Sequence, residues 1–141
     1  MSLFQQYYID TIKKRYADFD GRARRSEYWY FQLFNILIYV GLLIISGILG
    51  YIEPLLSFIG IGLFYLLAIG LLVPSIALAV RRLHDTGKSG WMYLIALIPL
   101  AGPIILLVFM CTDSDPGSNV YGPNPKRIGG DDLTDHLIER I

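Results

Sequence analysis

YWYFQLFNILIYVGLLIISGILGYI, residues 28–52, and PLLSFIGIGLFYLLAIGLLVPSIALAV, residues 54–80, are separated by a single charged side chain, Glu53. A third uncharged run, SGWMYLIALIPLAGPIILLVFMCT, covers residues 89–112. Each run is longer than the roughly 20 apolar residues a helix needs to cross about 30 Å of hydrocarbon. Inside lipid the backbone has no water to bond, so a crossing segment satisfies its own N–H and C=O groups as a helix. The expected fold is an all-α membrane protein, a three-span transmembrane helical bundle with spans at 28–50, 54–80 and 90–112.

Composition agrees, because 141 residues at 54% apolar and 17% charged make a poor water-soluble domain. The segments before Tyr28 and after Thr112 are each shorter than the roughly 40 residues at which a separate core becomes feasible, so residues 1–141 form one membrane domain. A formal charge of zero argues against nucleic acid as a partner. The lone Cys111 forms no internal disulfide and reads as a small apolar residue. Arg22, Arg24 and Arg25 precede the first run as the n-region of a signal peptide would, but the run is too long for an h-region and reads as a retained anchor.

Lys and Arg near span ends set orientation. Lys13, Lys14, Arg15, Arg22, Arg24 and Arg25 precede the first span, the first connection has no basic residue, the second has Arg81, Arg82 and Lys88, and the tail has Lys126, Arg127 and Arg140. Three alternating crossings would place the N-terminus and the second connection in the cytoplasm, with Glu53 and the tail outside. Tyr28, Trp29, Trp91 and Tyr93 then serve as interface anchors on the cytoplasmic face. Pro99, Gly102 and Pro103 fall mid-way along the third run. They kink a single crossing, the preferred reading because neighbours re-satisfy a carbonyl freed by Pro, or they turn the chain back as a re-entrant segment with the tail inside. Pro74 in the second span frees the carbonyl of Gly70 in the same way.

Gly50 to Pro54 form a short turn, so the first two spans are an antiparallel hairpin, and the four-residue spacings of Ser46 with Gly50 and Ser75 with Ala79 suit close helix approach. Ahead of the spans, Phe4, Tyr8, Ile12 and Tyr16 recur every four residues and predict an amphipathic helix over 3–17. Two placements are open for it, along the membrane surface as an interfacial helix or packed back on the spans. After the spans, residues 113–141 read as a flexible tail, rich in Gly and Pro to residue 130, with a short helix over 132–141.

The densest polar group is Arg81, Arg82, His84 and Asp85 at the end of the second span, facing Arg22, Arg24, Arg25 and Glu27. Asp85 lies within helical reach of Arg81 and Arg82, and His84 is the one histidine of the group. Two readings are open: a site for anionic lipid headgroups or a membrane partner, or a set of structural ion pairs in which Glu27 or Asp20 locks Arg81 or Arg82. Enzyme motifs fail on inspection. Gly87-Lys88-Ser89 lacks the earlier glycine of a phosphate loop, since Arg82 stands there. Asp20-Gly21-Arg22-Ala23-Arg24 lacks the spacing and the two further aspartates of phosphatidyl-alcohol transferases. No catalytic residue, metal site or cofactor is expected.

Four blocks in order, Phe19-Asp20-Gly21-Arg22-Ala23-Arg24-Arg25-Ser26-Glu27-Tyr28-Trp29, Arg81-Arg82-Leu83-His84-Asp85, Gly87-Lys88-Ser89-Gly90-Trp91 and Asn119-Val120-Tyr121-Gly122-Pro123-Asn124-Pro125, resemble the signature of domain of unknown function 805. The resemblance covers roughly residues 5–126 and implies a bacterial inner-membrane location and a few-helix fold, to which the Lys and Arg distribution adds a cytoplasmic N-terminus and, on three crossings, a periplasmic C-terminus. That family has no assigned activity. The expectation is a non-enzymatic structural or regulatory module that binds anionic phospholipid headgroups, a membrane protein or a second copy of itself. A transporter or channel component using Arg81, Arg82, His84 and Asp85 is the alternative, and it ranks second because transport needs ionisable groups at mid-membrane and the spans carry none.

Overall fold

The structure is a computed structural model and describes residues 2–126. Among these residues there is no strand. A π-helical stretch, Gln5–Ile9, runs into α1 (Asp10–Lys14), followed by α2 (Arg25–Ile52), α3 (Pro54–Asp85), a 3-10 helix (Gly90–Leu97) and α4 (Ala101–Cys111). The chain divides into two compact units, one of Met1–Ala17 with Trp29–Ile76 and the other of Asp18–Tyr28 with Ala77–Ile141.

Among the described residues, α2 and α3 are the two helices long and apolar enough to cross a membrane. Only 11% of the most apolar window of α2 and 6% of that of α3 is buried within the molecule. The core helix of a soluble protein would hide that surface, whereas here it faces outward, as lipid-facing helices do. α2 starts at Arg25 rather than Tyr28, and α3 continues through Arg81 and Arg82 to Asp85, past the expected end at residue 80. Helical geometry therefore includes the charged residues that the sequence set outside the spans.

In the first unit, small residues bring α2 and α3 together near their connection. Ser46 is buried, its hydroxyl donates to the Ser57 carbonyl at 2.9 Å, and a Cβ on Gly60 would stand 2.6 Å from the Ser46 side chain. Gly50 faces Ser57 in the same manner. Of the two expected small-residue pairs, Ser46 with Gly50 lies on this seam, while the Ser75 hydroxyl bonds back to its own helix at Leu71. A cleft of about 360 Å³ at the turn, lined by Gly47, Gly50, Tyr51, Pro54, Ser57 and Phe58, contains no ionisable group apart from the Tyr51 phenol.

The N-terminal helix is shorter than expected, ending at Lys14, and it packs by rings against α2. Tyr8 stacks on Phe31 at 5.1 Å, Tyr7 on Tyr30 at 5.1 Å, and Phe4 meets Phe34 edge-on at 5.0 Å. Beyond it, the Tyr16 hydroxyl donates to the Gly70 carbonyl at 2.5 Å. This is the carbonyl that Pro74, four residues on, leaves without its helical donor, so a side chain from the N-terminal segment supplies the missing bond.

In the second unit the expected single crossing by residues 90–112 is not found. The run is two short pieces joined by a break at residues 98–100. Leu100 has φ 63° and ψ −60°, and the Ala101 N–H bonds the Pro99 carbonyl at 2.8 Å, which makes a γ-turn. Pro103 sits in the first turn of α4, where a missing N–H costs nothing. The two arms lie so close at Gly102 that a Cβ there would stand 2.0 Å from the Ile95 carbonyl oxygen. Both ends of the run meet the same end of α3: a Cβ on Gly90 would touch Val80 and His84, and Arg82 bonds the Met110 and Thr112 carbonyls. The physical reason is local. Two prolines and a glycine within five residues remove helical donors and permit arm-to-arm contact, so the chain folds back instead of kinking.

Residues 113–126 are an ordered loop held by side-chain hydrogen bonds, not a free extension. The expected helix over 132–141 lies outside the described residues.

Candidate functional site

α3 ends in a Schellman motif. The Gly87 N–H bonds the His84 carbonyl at 3.0 Å, the Lys88 N–H bonds the Leu83 carbonyl at 2.9 Å, and Gly87 has φ +71°. A Cβ on Gly87 would stand 2.4 Å from Asp115 Oδ2, so glycine is required both for the backbone angle and for the approach of the tail loop.

Asp85, the last residue of α3, lies between two guanidinium groups. Arg22 Nε donates to Asp85 Oδ1 at 3.0 Å, and Arg82 and the Ser114 hydroxyl both donate to Asp85 Oδ2. Arg22 is 6% exposed, while Arg81, Arg82 and Asp85 are 0% exposed. Buried charges are tolerable only when paired and fully hydrogen-bonded. Arg22 meets that condition with all five donors. Besides Asp85 Oδ1, they reach the Asp85 carbonyl at 3.2 Å, the Asp115 carbonyl at 2.9 Å, and the Gly117 and Gly122 carbonyls at 2.9 and 3.3 Å. One guanidinium thus joins the helix end to three carbonyls of the tail loop.

The remaining members of the sequence-derived cluster fall in the same unit. Arg81 pairs with Glu27 at 3.1 Å, and its carbonyl accepts from the Ala23 N–H at 3.0 Å. Arg24 bonds the Pro125 carbonyl, with Nε at 2.6 Å, and Arg25 bonds the Cys111 carbonyl at 3.2 Å. His84 Nδ1 lies 3.1 Å from the Gly21 carbonyl, which fits the tautomer with a proton on Nδ1, and its ring stacks on Tyr121 at 3.9 Å. All eight residues (Arg22, Arg24, Arg25, Glu27, Arg81, Arg82, His84 and Asp85) therefore lie in the second unit, with Arg22, Arg82 and Asp85 bonded to one another. Asp20 makes no ion pair among those of the described residues. Of the anchor residues, Trp29 and Trp91 are exposed and Tyr28 and Tyr93 half-buried.

Sequence reasoning missed the partners contributed by the tail. Asn119 Nδ2 donates to the His84 carbonyl at 2.9 Å, Asn124 Nδ2 donates to the Asp115 carbonyl at 3.1 Å, and the Asp115 N–H bonds the Asp85 carbonyl at 2.8 Å. Asn119 and Gly122 also exchange two backbone bonds of 3.0 Å. The available signal was the density of Asn and Asp between residues 113 and 124, residue types that bond backbone locally. At the loop's margin the Lys126 ammonium bonds Asp113, and this bond, with a further one from the Ser114 N–H, holds the exposed Asp113 carboxyl below its ordinary pKa. No group of three His, Cys, Asp or Glu able to hold a metal occurs among the described residues.

The chain is 46% identical over 121 residues to inner membrane protein YhaI of Escherichia coli strain K12, covering 86% of this chain and 96% of that protein. It is 40% identical over 124 residues to inner membrane protein YhaH of the same strain, with 85% and 96% covered. It is 30% identical over 143 residues to the uncharacterised protein YiiR, with 84% and 92% covered. No solved structure matches. The family model described as protein of unknown function (DUF805) matches residues 16–123, a range that contains Arg22, Arg82, Asp85 and Ser114, and the chain belongs to that family of membrane proteins.

Proposed function

We propose that this protein is a non-enzymatic structural or regulatory module of the bacterial inner membrane. Two crossings carry a polar head that binds anionic phospholipid headgroups or a membrane partner. The observation that carries this reading is the saturation of the head: Arg22, Arg82 and Asp85 are buried and bonded to one another and to backbone carbonyls. A proton or solute path would need such groups free to exchange partners, and it would need charged side chains or histidine at mid-membrane, where α2 and α3 have none. The buried set is thus the frame of the head. Arg25, which is exposed, and the half-buried Lys88 remain as its headgroup-facing cations.

With the 90–111 run returning to its starting point, Arg22, Arg24, Arg25, Arg81, Arg82 and Lys88 lie at the α2 start and the α3 end, and no Lys or Arg lies in the α2–α3 connection. The positive-inside rule assigns the side of the α2 start and α3 end to the cytoplasm, with Glu53 outside. The family relatives named as inner membrane proteins support the location.

The test is thermal unfolding of purified, delipidated protein after transfer to vesicles of phosphatidylcholine alone or with phosphatidylglycerol, alongside a proton-flux assay on the same vesicles. The expected result is a higher midpoint with phosphatidylglycerol, an increment reduced in Arg25→Gln/Lys88→Gln, and no protein-dependent flux. Equal midpoints in the two lipids together with flux that scales with protein would overturn it.

A further inference from the structure

We infer that residues 90–111 form an apolar wedge seated among the acyl chains of one leaflet, entering and leaving through the same membrane face. The inference goes beyond what the head binds and depends only on α2 and α3 spanning the bilayer.

The first support is length. The 3-10 helix Gly90–Leu97 at about 2.0 Å per residue and α4, Ala101–Cys111, at about 1.5 Å per residue are each about 16 Å long, half of a hydrocarbon core of about 30 Å. The second is the character of the surface. Leu97 and Leu100 at the tip are 78% and 87% exposed, Ile98 and Ile104 beside them are exposed too, and no charged side chain occurs between Gly90 and Cys111. An apolar patch this continuous is not left to water.

The backbone at the tip supplies a third, independent support. Ile98, Ala101 and Gly102 N–H groups bond the Ile95, Pro99 and Ile98 carbonyls at 2.9, 2.8 and 3.0 Å, and Pro99 and Pro103 have no N–H at all. Among the N–H groups from Ile98 to Gly102 that of Leu100 alone has no backbone acceptor, so the irregular turn takes few open donors into lipid. The base has the opposite character. Lys88 sits 4.9 Å over the Phe109 ring, Arg25 and Arg82 hold the carbonyls from Met110 to Thr112, and Trp91 is exposed beside them. Cations and an indole at one end with bare aliphatic groups at the other is the polarity of a segment that stops inside a leaflet.

Depth-resolved fluorescence quenching tests this. In full-length protein carrying Trp29→Phe, Trp91 is the single indole. Adding Trp91→Phe and Leu97→Trp moves the indole to the tip, and Ile104→Trp replaces Leu97→Trp if the latter fails to fold. In vesicles of lipids brominated at shallow or deep chain positions, Trp91 should be quenched most by shallow bromines and the tip indole most by deep ones, by at least twofold in each case. Val120→Trp in the Trp29→Phe/Trp91→Phe background, outside the wedge, should be quenched by neither. In a Cys111→Ala background, Leu100→Cys should resist an impermeant maleimide from both sides, while Ser118→Cys labels only from the cytoplasmic side.

A tip indole quenched no more deeply than Trp91 would overturn the inference in favour of a segment lying on the surface. Leu100→Cys labelling from the outer side would overturn it in favour of a full crossing, and efficient Leu100→Cys disulfide dimers in favour of a second copy covering the face. Loss of phosphatidylglycerol dependence with an unchanged depth profile would sink the headgroup reading alone and leave the wedge standing.

Discussion

The two units are held together by different chemistry. In the unit of Met1–Ala17 with Trp29–Ile76, contacts are rings on rings, as with Tyr8 on Phe31, and small residues on small residues, as with Ser46 and Gly60. In the unit of Asp18–Tyr28 with Ala77–Ile141, the contacts are guanidinium groups on carboxylates and carbonyls. The difference follows from where the backbone bonds go. A long helix satisfies its own backbone and needs only shape from its neighbours. An irregular loop leaves carbonyls open, and arginine, with five donors and a delocalised charge, can close several at once.

The comparison predicts that the polar unit fails by loss of a charge and the apolar unit only by increments. Asp85→Ala leaves Arg22 and Arg82 buried without their shared carboxylate, a loss of about 3–5 kcal/mol by the usual cost of breaking a buried pair. Limited proteolysis should then cut between residues 113 and 126 while α2 and α3 stay protected. If that segment stays resistant, Asp85 is not the centre of the polar unit.

Gly87→Ala tests the same unit through its backbone. Its φ of +71° and the 2.4 Å approach to Asp115 Oδ2 put the cost at about 1–3 kcal/mol, read as a lower thermal midpoint. Tyr16→Phe probes the apolar unit at the polar bond from its N-terminal segment to α3. Removing the donor to the Gly70 carbonyl should cost about 1 kcal/mol and raise hydrogen exchange around Gly70 and Pro74. A larger effect than that of Gly87→Ala would erase the contrast between the units.

The smallest expected effect is of acid on the loop margin. The Asp113 pKa is lowered by its bond from Lys126, so the stabilisation is present above the ordinary carboxylate range and is lost as pH falls through the lowered folded value. Carboxyl carbon shifts should show Asp113 titrating below a free aspartate, and Lys126→Gln should return it toward the ordinary value.

Uninterrupted apolar runs made two crossing helices legible, because a segment that must satisfy its backbone in lipid has one regular solution. The charged cluster was legible as a set of residues but not as a geometry. Whether Arg22 would face lipid phosphate or Asp85 depended on acceptors almost a hundred residues away, including the Gly117 and Gly122 carbonyls. The Asn119 and Asn124 contributions were hidden for the same reason, since a loop's hydrogen bonds have no sequence period.

Residues 90–112 mark the boundary between the two kinds of information. Hydropathy determined that this stretch avoids water, and Pro99, Gly102 and Pro103 determined that its helix is interrupted. Only the tertiary structure decided that the chain returns. That choice rests on the Gly102 backbone meeting the Ile95 carbonyl and on Arg82 and Arg25 gripping the far end, contacts between groups distant in the chain whose pairing no local pattern encodes.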